Sequence, residues 1–172
     1  MRHISTIMTA SILSLSLGSI AKADSITGIL SIGLTVQSSC SINSTSNAPL
    51  TLTFETAGSL VNGVTANTPA VLNVTCSAGT HYMISMDGGQ NASNSTRRLK
   101  CSTCGSTPQY VPYLLSRSVG GSDLWTIDTA YTPTADGSGA AQAFQINATI
   151  LPTTAAAAVG SYTDNVTVTV TY

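Results

Sequence analysis

Residues 160–172 read Gly-Ser-Tyr-Thr-Asp-Asn-Val-Thr-Val-Thr-Val-Thr-Tyr. From Val166 onward, apolar and hydroxyl side chains alternate, so that each kind falls on one side of an extended chain. Valine and threonine both suit a pleated surface. The stretch therefore predicts a terminal β-strand with one buried face, made of Val166, Val168, Val170 and Tyr172.

A second alternating stretch lies near the other end, where residues 26–36 read Ile-Thr-Gly-Ile-Leu-Ser-Ile-Gly-Leu-Thr-Val. A strand at each end is informative, because most domains fray at their termini. The two strands could pair within one monomer, or the first could complete the sheet of a neighbouring molecule. One face of the first strand would carry Ile26, Gly28, Leu30, Ile32 and Leu34.

Between these ends, the chain reads as short strands separated by turns, with no convincing helix longer than about 10 residues. This pattern predicts a single all-β domain, an antiparallel β-sandwich. The polar stretch 90–107 is expected to be a loop with a solvated basic cluster, Arg97, Arg98 and Lys100. Further strands are predicted at 50–54, 70–76, 82–86, 110–116, 124–127, 141–151 and 162–172.

The composition excludes several classes of protein. Hydrophobic residues make up 42% of the 172 residues and charged residues only 8%, against about 25% charged in an ordinary domain. Disorder of the charged type needs the opposite balance. A nucleic-acid partner is not expected either, because only six Lys and Arg are available to meet phosphates.

The first residues have the form of a secretory signal peptide. A positive start at Arg2 and His3 precedes an apolar run over 4–20 and the small residues of Ala21-Lys22-Ala23. This arrangement predicts cleavage after Ala23 and export, with a retained amphipathic helix as the alternative. The run is too short and too rich in serine for a good membrane span.

Four cysteines in an exported chain indicate disulfides, and three pairings are possible. Cys101 and Cys104 are close enough for a bridge across one turn, which leaves Cys40 with Cys76. A redox motif is the alternative for the C-x-x-C, but such motifs open a helix and none follows here. Zinc is disfavoured, because the second pair of cysteines has the wrong spacing.

No catalytic constellation stands out. After removal of the signal peptide, His81 is the only histidine, so a Ser–His–acid triad would have to use it. Asp123 and Asp128 are possible paired carboxylates, but both flank a predicted strand. We therefore expect no enzyme, no metal site and no cofactor.

An ordered set of motifs runs along most of the chain: Thr27-Gly28 with the alternation up to Cys40, Val74-Thr75-Cys76, Asp87-Gly88-Gly89, Arg98-Leu99-Lys100, Tyr113 to Trp125, Gly160-Ser161-Tyr162-Thr163-Asp164, and Val166 to Val170. In this set the sequence resembles the spore coat U domain family, whose members include subunits of archaic, Csu-type chaperone–usher pili. One departure is the pair Cys101 and Cys104, which the family pattern does not include.

The resemblance implies an incomplete immunoglobulin-like sandwich over 37–172, preceded by a donor strand in 24–36. A periplasmic chaperone would first fill the open groove, and the donor strand of the next subunit would replace it at the outer-membrane usher. The apolar face of the first stretch would be the donor, the apolar face of the last stretch would line the groove, and the Tyr172 carboxylate would anchor the chaperone. The function implied is that of a shaft or adaptor subunit of a surface fimbria, supporting adhesion and biofilm formation.

Two other functions stay open at this point. The chain could be a secreted, self-contained β-sandwich that binds carbohydrate on Trp125 and nearby tyrosines, or part of an extracellular coat. Two observations argue against a platform for stacking sugars: aromatic residues make up only 5% of the chain, and Trp125 stands at an alternating position typical of a core residue. The third possibility is an exported redox protein that uses Cys101 and Cys104.

Overall fold

The computed structural model describes residues 22, 24–42, 50–105, 109–133 and 138–172. The predicted signal peptide, Lys22 apart, lies outside these residues. The chain divides into two units, Met1–Thr35 and Val36–Tyr172. In the described part of the chain, every strand belongs to the second unit.

The described regular elements are all β-strands, which confirms the predicted all-β class. This part of the chain contains no helix with the length and apolarity needed to cross a membrane. The strands are β1 (Cys40–Ile42), β2 (Val64–Thr65), β3 (Ala70–Cys76), β4 (Met83–Met86), β5 (Arg97–Cys101), β6 (Tyr110–Ser116), β7 (Gln142–Ile150), β8 (Tyr162–Thr163) and β9 (Val168–Thr171).

The strands form two sheets, and all their pairings are antiparallel, as predicted. The larger sheet has the order β1-β3-β7-β6-β5-β8, with β2 also paired to β7. The smaller sheet consists of β4 and β9. Strand β7 joins the larger sheet together, because residues 142–146 pair with β3 and residues 147–149 pair with β6.

The core lies between the two sheets. Alternate residues of β3 are buried, with Leu72 at 0% exposure and its neighbour Val71 at 42%. From the smaller sheet, Ile84 and Met86 pack into the same cluster, and Trp125 joins it at 2% exposure. Burial on both inner faces is what defines a sandwich.

Both pairs of cysteines are bonded. Cys40 and Cys76 stand opposite each other in the register of β1 and β3, with their Cα atoms 4.0 Å apart. Cys101 ends β5 and is bonded to Cys104, with a Cα separation of 5.7 Å. The first bridge thus ties β1 to the sheet, and the second closes a short loop.

The prediction of a loop with a solvated basic cluster at 90–107 is wrong, because Arg97–Cys101 form strand β5 and Arg97 is buried. The Arg97 guanidinium donates to the carbonyl oxygens of Met86 (3.0 Å), Asp87 (2.9 Å) and Trp125. A buried charge is tolerated when its donors are satisfied in this way. These acceptors come from remote parts of the chain, so local polarity misled the prediction.

The other cations of that stretch lie near the surface. Arg98 stacks over the ring of Tyr110 at 4.2 Å and donates to the carbonyl of Asn91 at 2.9 Å. Lys100 is exposed. The basic stretch is therefore a structural strand with one buried cation and not a continuous basic surface.

Three other predicted strands also differ from the structure. Within 50–54, only Phe54 forms a bridge, to Ala66, and within 124–127 only isolated bridges occur. These stretches sit beside other strands without joining a ladder. The single strand predicted over 162–172 is two strands, β8 and β9, in different sheets.

The burial pattern of β3 gives a stability prediction. Leu72→Ala should lower the free energy of unfolding by about 2–5 kcal/mol, because it removes buried methyl groups and leaves a cavity. Val71→Ala is the matched control on the opposite face and should cost less than about 1 kcal/mol. Denaturant unfolding measures both, and equal costs would contradict the burial assigned to this strand.

Candidate functional site: the terminal strand and its open edge

Strand β9 is paired along one edge only in the part of the chain that the structure describes. Its partner is β4, with Val170 opposite Ile84 and Val168 opposite Met86. On the far side of β4, Ile84 exchanges two backbone hydrogen bonds with Tyr131, at 2.9 and 2.8 Å. Strand β4 is therefore paired on both edges, whereas β9 ends the smaller sheet.

The register shows which peptide groups of β9 face the open edge. The N–H and C=O of Ile84 bond to Tyr131 and so point away from β9. Hydrogen-bonded and non-bonded pairs alternate along an antiparallel ladder. The peptide groups of Thr169 and Thr171 therefore face β4, and those of Val168 and Val170 face the open edge.

The apolar side chains of the terminal segment are only half covered. Val166, Val168 and Val170 pack against the core yet stay partly exposed, and Tyr172 is 59% exposed. The intervening threonines lie on the exposed face. Strand β9 thus combines unpaired peptide groups with a partly covered apolar face, which together make a sheet edge a template for another strand.

The terminal segment crosses from one sheet to the other between Thr163 and Val168. Asp164 holds this crossing, since its carboxylate accepts hydrogen bonds from the Tyr113 hydroxyl at 2.8 Å and from Asn91. The Asn91 backbone N–H donates at 3.2 Å and its side-chain amide at 2.9 Å.

A second carboxylate fixes the start of β9. The Oδ1 atom of Asp87 accepts from the backbone N–H of Thr167 at 2.8 Å and from that of Gly89 at 2.9 Å. The N–H of Asp87 donates to the carbonyl of Thr167 at 3.1 Å, so the β4–β9 ladder continues by one pair. The two aspartates together determine where the terminal segment changes sheet.

Burial and these contacts shift three pKa values. The pKa of Asp87 is lowered. Burial acts to raise this pKa, but the hydrogen bonds from Thr167 and Gly89 and the charge of Arg97 outweigh burial. Burial, and then the hydrogen bond to Asp164, raises the pKa of Tyr113, so the phenol is a donor at neutral pH. Burial lowers the pKa of Arg97, while nearby carboxylates oppose the shift.

The structure thus brings together motifs that are far apart in the sequence, 87–89 and 160–164. Nothing in the sequence pairs Tyr113 or Asn91 with Asp164, so this contact was not predicted. A signal was available in the composition. In a chain with only seven acids, an aspartate in each of two glycine-containing motifs suggests a structural carboxylate.

The N-terminal segment is extended in sequence pattern but carries no ladder in the structure. No strand is assigned to residues 24–39, and Ile26, Leu30, Ile32 and Leu34 are between 82% and 99% exposed. A Cβ on Gly28 would meet nothing within 4 Å. The segment therefore presents a row of uncovered apolar side chains.

The structure does not place the residues of the other candidate sites, the sugar-stacking platform and the catalytic groups, in a suitable geometry. Trp125 is buried and stands edge-on to Tyr131, with ring centroids 5.5 Å apart, so its faces do not form a platform for sugars. His81, Asp123 and Asp128 are exposed. Within the described residues, no cluster of three or more His, Cys, Asp or Glu could hold a metal ion.

The crossing predicts a specific need for glycine at position 89. Gly89 has φ +78°, and a Cβ there would lie 2.1 Å from Oδ2 of Asp164. Gly120 has φ +90° with nothing within 4 Å of its Cβ, so Gly120→Ala is the control for backbone strain, about 1–2 kcal/mol. Gly89→Ala should cost about 1–3 kcal/mol more in unfolding free energy, because Asp164 loses its hydrogen bonds. Equal costs for the two variants would contradict the contact.

The lowered pKa of Asp87 predicts a dependence on pH. A carboxyl whose native pKa is depressed stabilises the fold above its ordinary value, here 3.8, and loses this contribution as the pH falls through the native pKa. Wild type should therefore exceed Asp87→Asn in stability at pH 7, and the difference should shrink below pH about 4. Thermal unfolding at several pH values tests this, and a difference that stayed constant down to pH about 2 would rule it out.

Comparisons with known proteins give the chain a family. The model of the Spore Coat Protein U domain matches residues 26–169. A comparison with curated proteins gives no match. Several solved structures match, among them a chain of the crystal structure of the CsuC–CsuE chaperone–tip adhesion subunit pre-assembly complex from archaic chaperone–usher Csu pili of Acinetobacter baumannii.

The structural likeness has a TM-score of 0.54 at 21% sequence identity. It covers 80% of this chain but 40% of the other, so this chain spans about two fifths of the length of the one it matches. At this identity the likeness shows a shared fold. Because the family model covers residues 26–169, which is most of the sequence, the chain belongs to the Spore Coat Protein U domain family.

Proposed function

We propose that this chain is a structural subunit of a bacterial surface fimbria, assembled by the chaperone–usher route through donor-strand complementation. The observation that carries the proposal is the open edge of β9. There, the peptide groups of Val168 and Val170 have no partner strand among the described residues, and their side chains are half covered. Such an edge favours the addition of a strand from another molecule.

The N-terminal segment 24–36 has the chemistry of the missing strand. Its apolar side chains are exposed, and from Leu30 onward they alternate with small residues, so one face could enter the sandwich while the other stays in water. Ile29 is the one apolar residue on the opposite face. Burying Ile26, Leu30, Ile32 and Leu34 at about 1.5–3 kcal/mol each would contribute roughly 6–12 kcal/mol before the cost of ordering the segment. We assign residues 24–36 as donor and residues 37–172 as the receiving domain.

The partners follow from the same surface. An unpaired apolar edge is an aggregation hazard for a newly exported chain, so a periplasmic chaperone would cover β9 until a neighbouring subunit replaces it at the outer-membrane usher. The solved structure that shares this fold is titled as a complex between a chaperone and a subunit, which supports this order of events. We further propose that the Tyr172 carboxylate anchors the chaperone.

The proposal includes removal of residues 1–23 on export, display at the cell surface, and a role in adhesion and biofilm formation. A self-contained sandwich that binds sugar fits the structure less well, because Trp125 is buried. An exported thiol oxidoreductase also fits less well, because Cys101 ends strand β5 instead of opening a helix and is only 7% exposed. A structural role uses the exposed terminal segment and the open edge together.

The proposal predicts face-specific effects within the donor segment. Ile32→Lys would place a charge in an apolar groove and should abolish polymer formation, whereas Ser31→Lys lies on the opposite face and should leave it intact. Wild type and the two variants are each expressed with the chaperone and usher, and material sheared from the cells is run on a denaturing gel without boiling.

The expected result is a ladder of multiples of the subunit mass for wild type and Ser31→Lys, which collapses to monomer on boiling and is absent for Ile32→Lys. Equal loss of the ladder in both variants would show that the alternation does not set the contact. A single monomer band from soluble, stable wild type would overturn the proposal in favour of the self-contained sandwich.

A further inference from the structure

The Cys101–Cys104 disulfide lies directly against the chain that leads into β8. A Cβ built on Gly160 would stand 2.5 Å from Sγ of Cys101, 2.7 Å from Sγ of Cys104 and 2.8 Å from Oγ1 of Thr103. No real Cβ makes contacts this close, so only glycine lets the backbone approach here. The conformation at Gly160 is not in the left-handed region, and the need for glycine is therefore one of space.

Hydrogen bonds join the same two segments at Ser161, next to Gly160, and another bond lies within the second segment. The N–H of Ser102 donates to the carbonyl of Ser161 at 2.8 Å, and the N–H of Ser161 donates to the Thr103 hydroxyl at 2.9 Å. The Tyr162 hydroxyl donates to the carbonyl of Ala158 at 2.8 Å and lies 3.6 Å from Sγ of Cys104. The Sγ atom of Cys104 also lies 3.7 Å from the carbonyl oxygen of Val159, so the loop closed by the disulfide contacts residues 159–162 through backbone, hydroxyl and sulfur atoms.

We propose that the loop Cys101–Cys104 is a docking site for residues 159–162 of the same chain, and that it positions the start of the terminal segment. Strand β8 has only two residues, with Cys101 opposite Tyr162 and Lys100 opposite Thr163. So short a ladder supplies few hydrogen bonds, and the loop supplies the rest. The disulfide is needed because two unbonded sulfur atoms require more room than a bonded pair, and Gly160 occupies that room.

The consequence for assembly rests on the proposed function. Asp164 follows β8 immediately and holds the crossing to β9, so a loose segment at 159–163 would leave the open edge of β9 without a fixed starting point. Cys101, Cys104 and Gly160 are then positioning residues for the surface that receives the donor strand. This gives a role to the one pair of cysteines that departs from the family pattern.

A double-mutant cycle tests the docking directly. Gly160→Ala should lower the unfolding midpoint of the exported full chain, because its Cβ collides with the sulfur atoms. In the Cys101→Ala/Cys104→Ala background, which lacks both sulfurs, the same change should have less than about half that effect. Gly58→Ala, where a Cβ meets nothing within 4 Å, is the control and should behave alike in both backgrounds.

Hydrogen exchange separates this proposal from the proposed function, since it needs no fibre. The amides of Ser102 and Ser161 should exchange at least about tenfold faster in Gly160→Ala and in the cysteine variant, while the amides of β3 keep their protection. This result supports the docking even if wild type forms no polymer. The docking would be overturned if Gly160→Ala lowered the unfolding midpoint equally in both backgrounds, or if the exchange rates of the Ser102 and Ser161 amides did not change. If the cysteine variant does not fold, the exchange rates in Gly160→Ala alone decide.

Discussion

The structure depends on one constraint, the change of sheet that the terminal segment makes between Thr163 and Val168. Before the crossing, β8 closes one end of the larger sheet, and after it β9 builds the smaller one. Two carboxylates hold the crossing. Asp164 accepts hydrogen bonds from Tyr113 and Asn91, and Asp87 accepts one from the N–H of Thr167. The position of β9, and hence the direction in which its open edge faces, follows from these few hydrogen bonds.

The chain uses its scarce charges at this place. Charged residues are 8% of the sequence, yet Arg97, Asp87 and Asp164 lie close together beside the crossing, where both carboxylates interact electrostatically with Arg97. Arg97 is buried and the two aspartates are half-buried, and each makes several hydrogen bonds, so removing any one of them leaves polar partners unsatisfied. These hydrogen bonds matter for the proposed function, since β9 is paired with β4 along one edge only and must hold its register without a second neighbour.

Local periodicity predicted some features correctly, although the alternating stretch 50–54 forms only a single bridge. Alternation predicted the apolar face at 166–170 and the antiparallel all-β class, and the C-x-x-C spacing was compatible with the Cys101–Cys104 bond. Features that depend on remote partners were missed. Arg97 looks like a solvated residue until its acceptors at Met86, Asp87 and Trp125 are known, and nothing local shows that the last strand divides at Asp164. The contact of Gly160 with a disulfide 56 to 59 residues earlier is likewise invisible to a periodic pattern.

Donor-strand complementation requires that the open edge of β9 receive a strand from a neighbouring subunit. A structure of the sheared fibre, at a resolution that shows side chains, tests this. We expect an extended strand hydrogen-bonded to the peptide groups of Val168 and Val170, continuous with the N-terminal segment of an adjacent subunit. A strand supplied by the same copy, or a β9 edge left uncovered in the fibre, would contradict it.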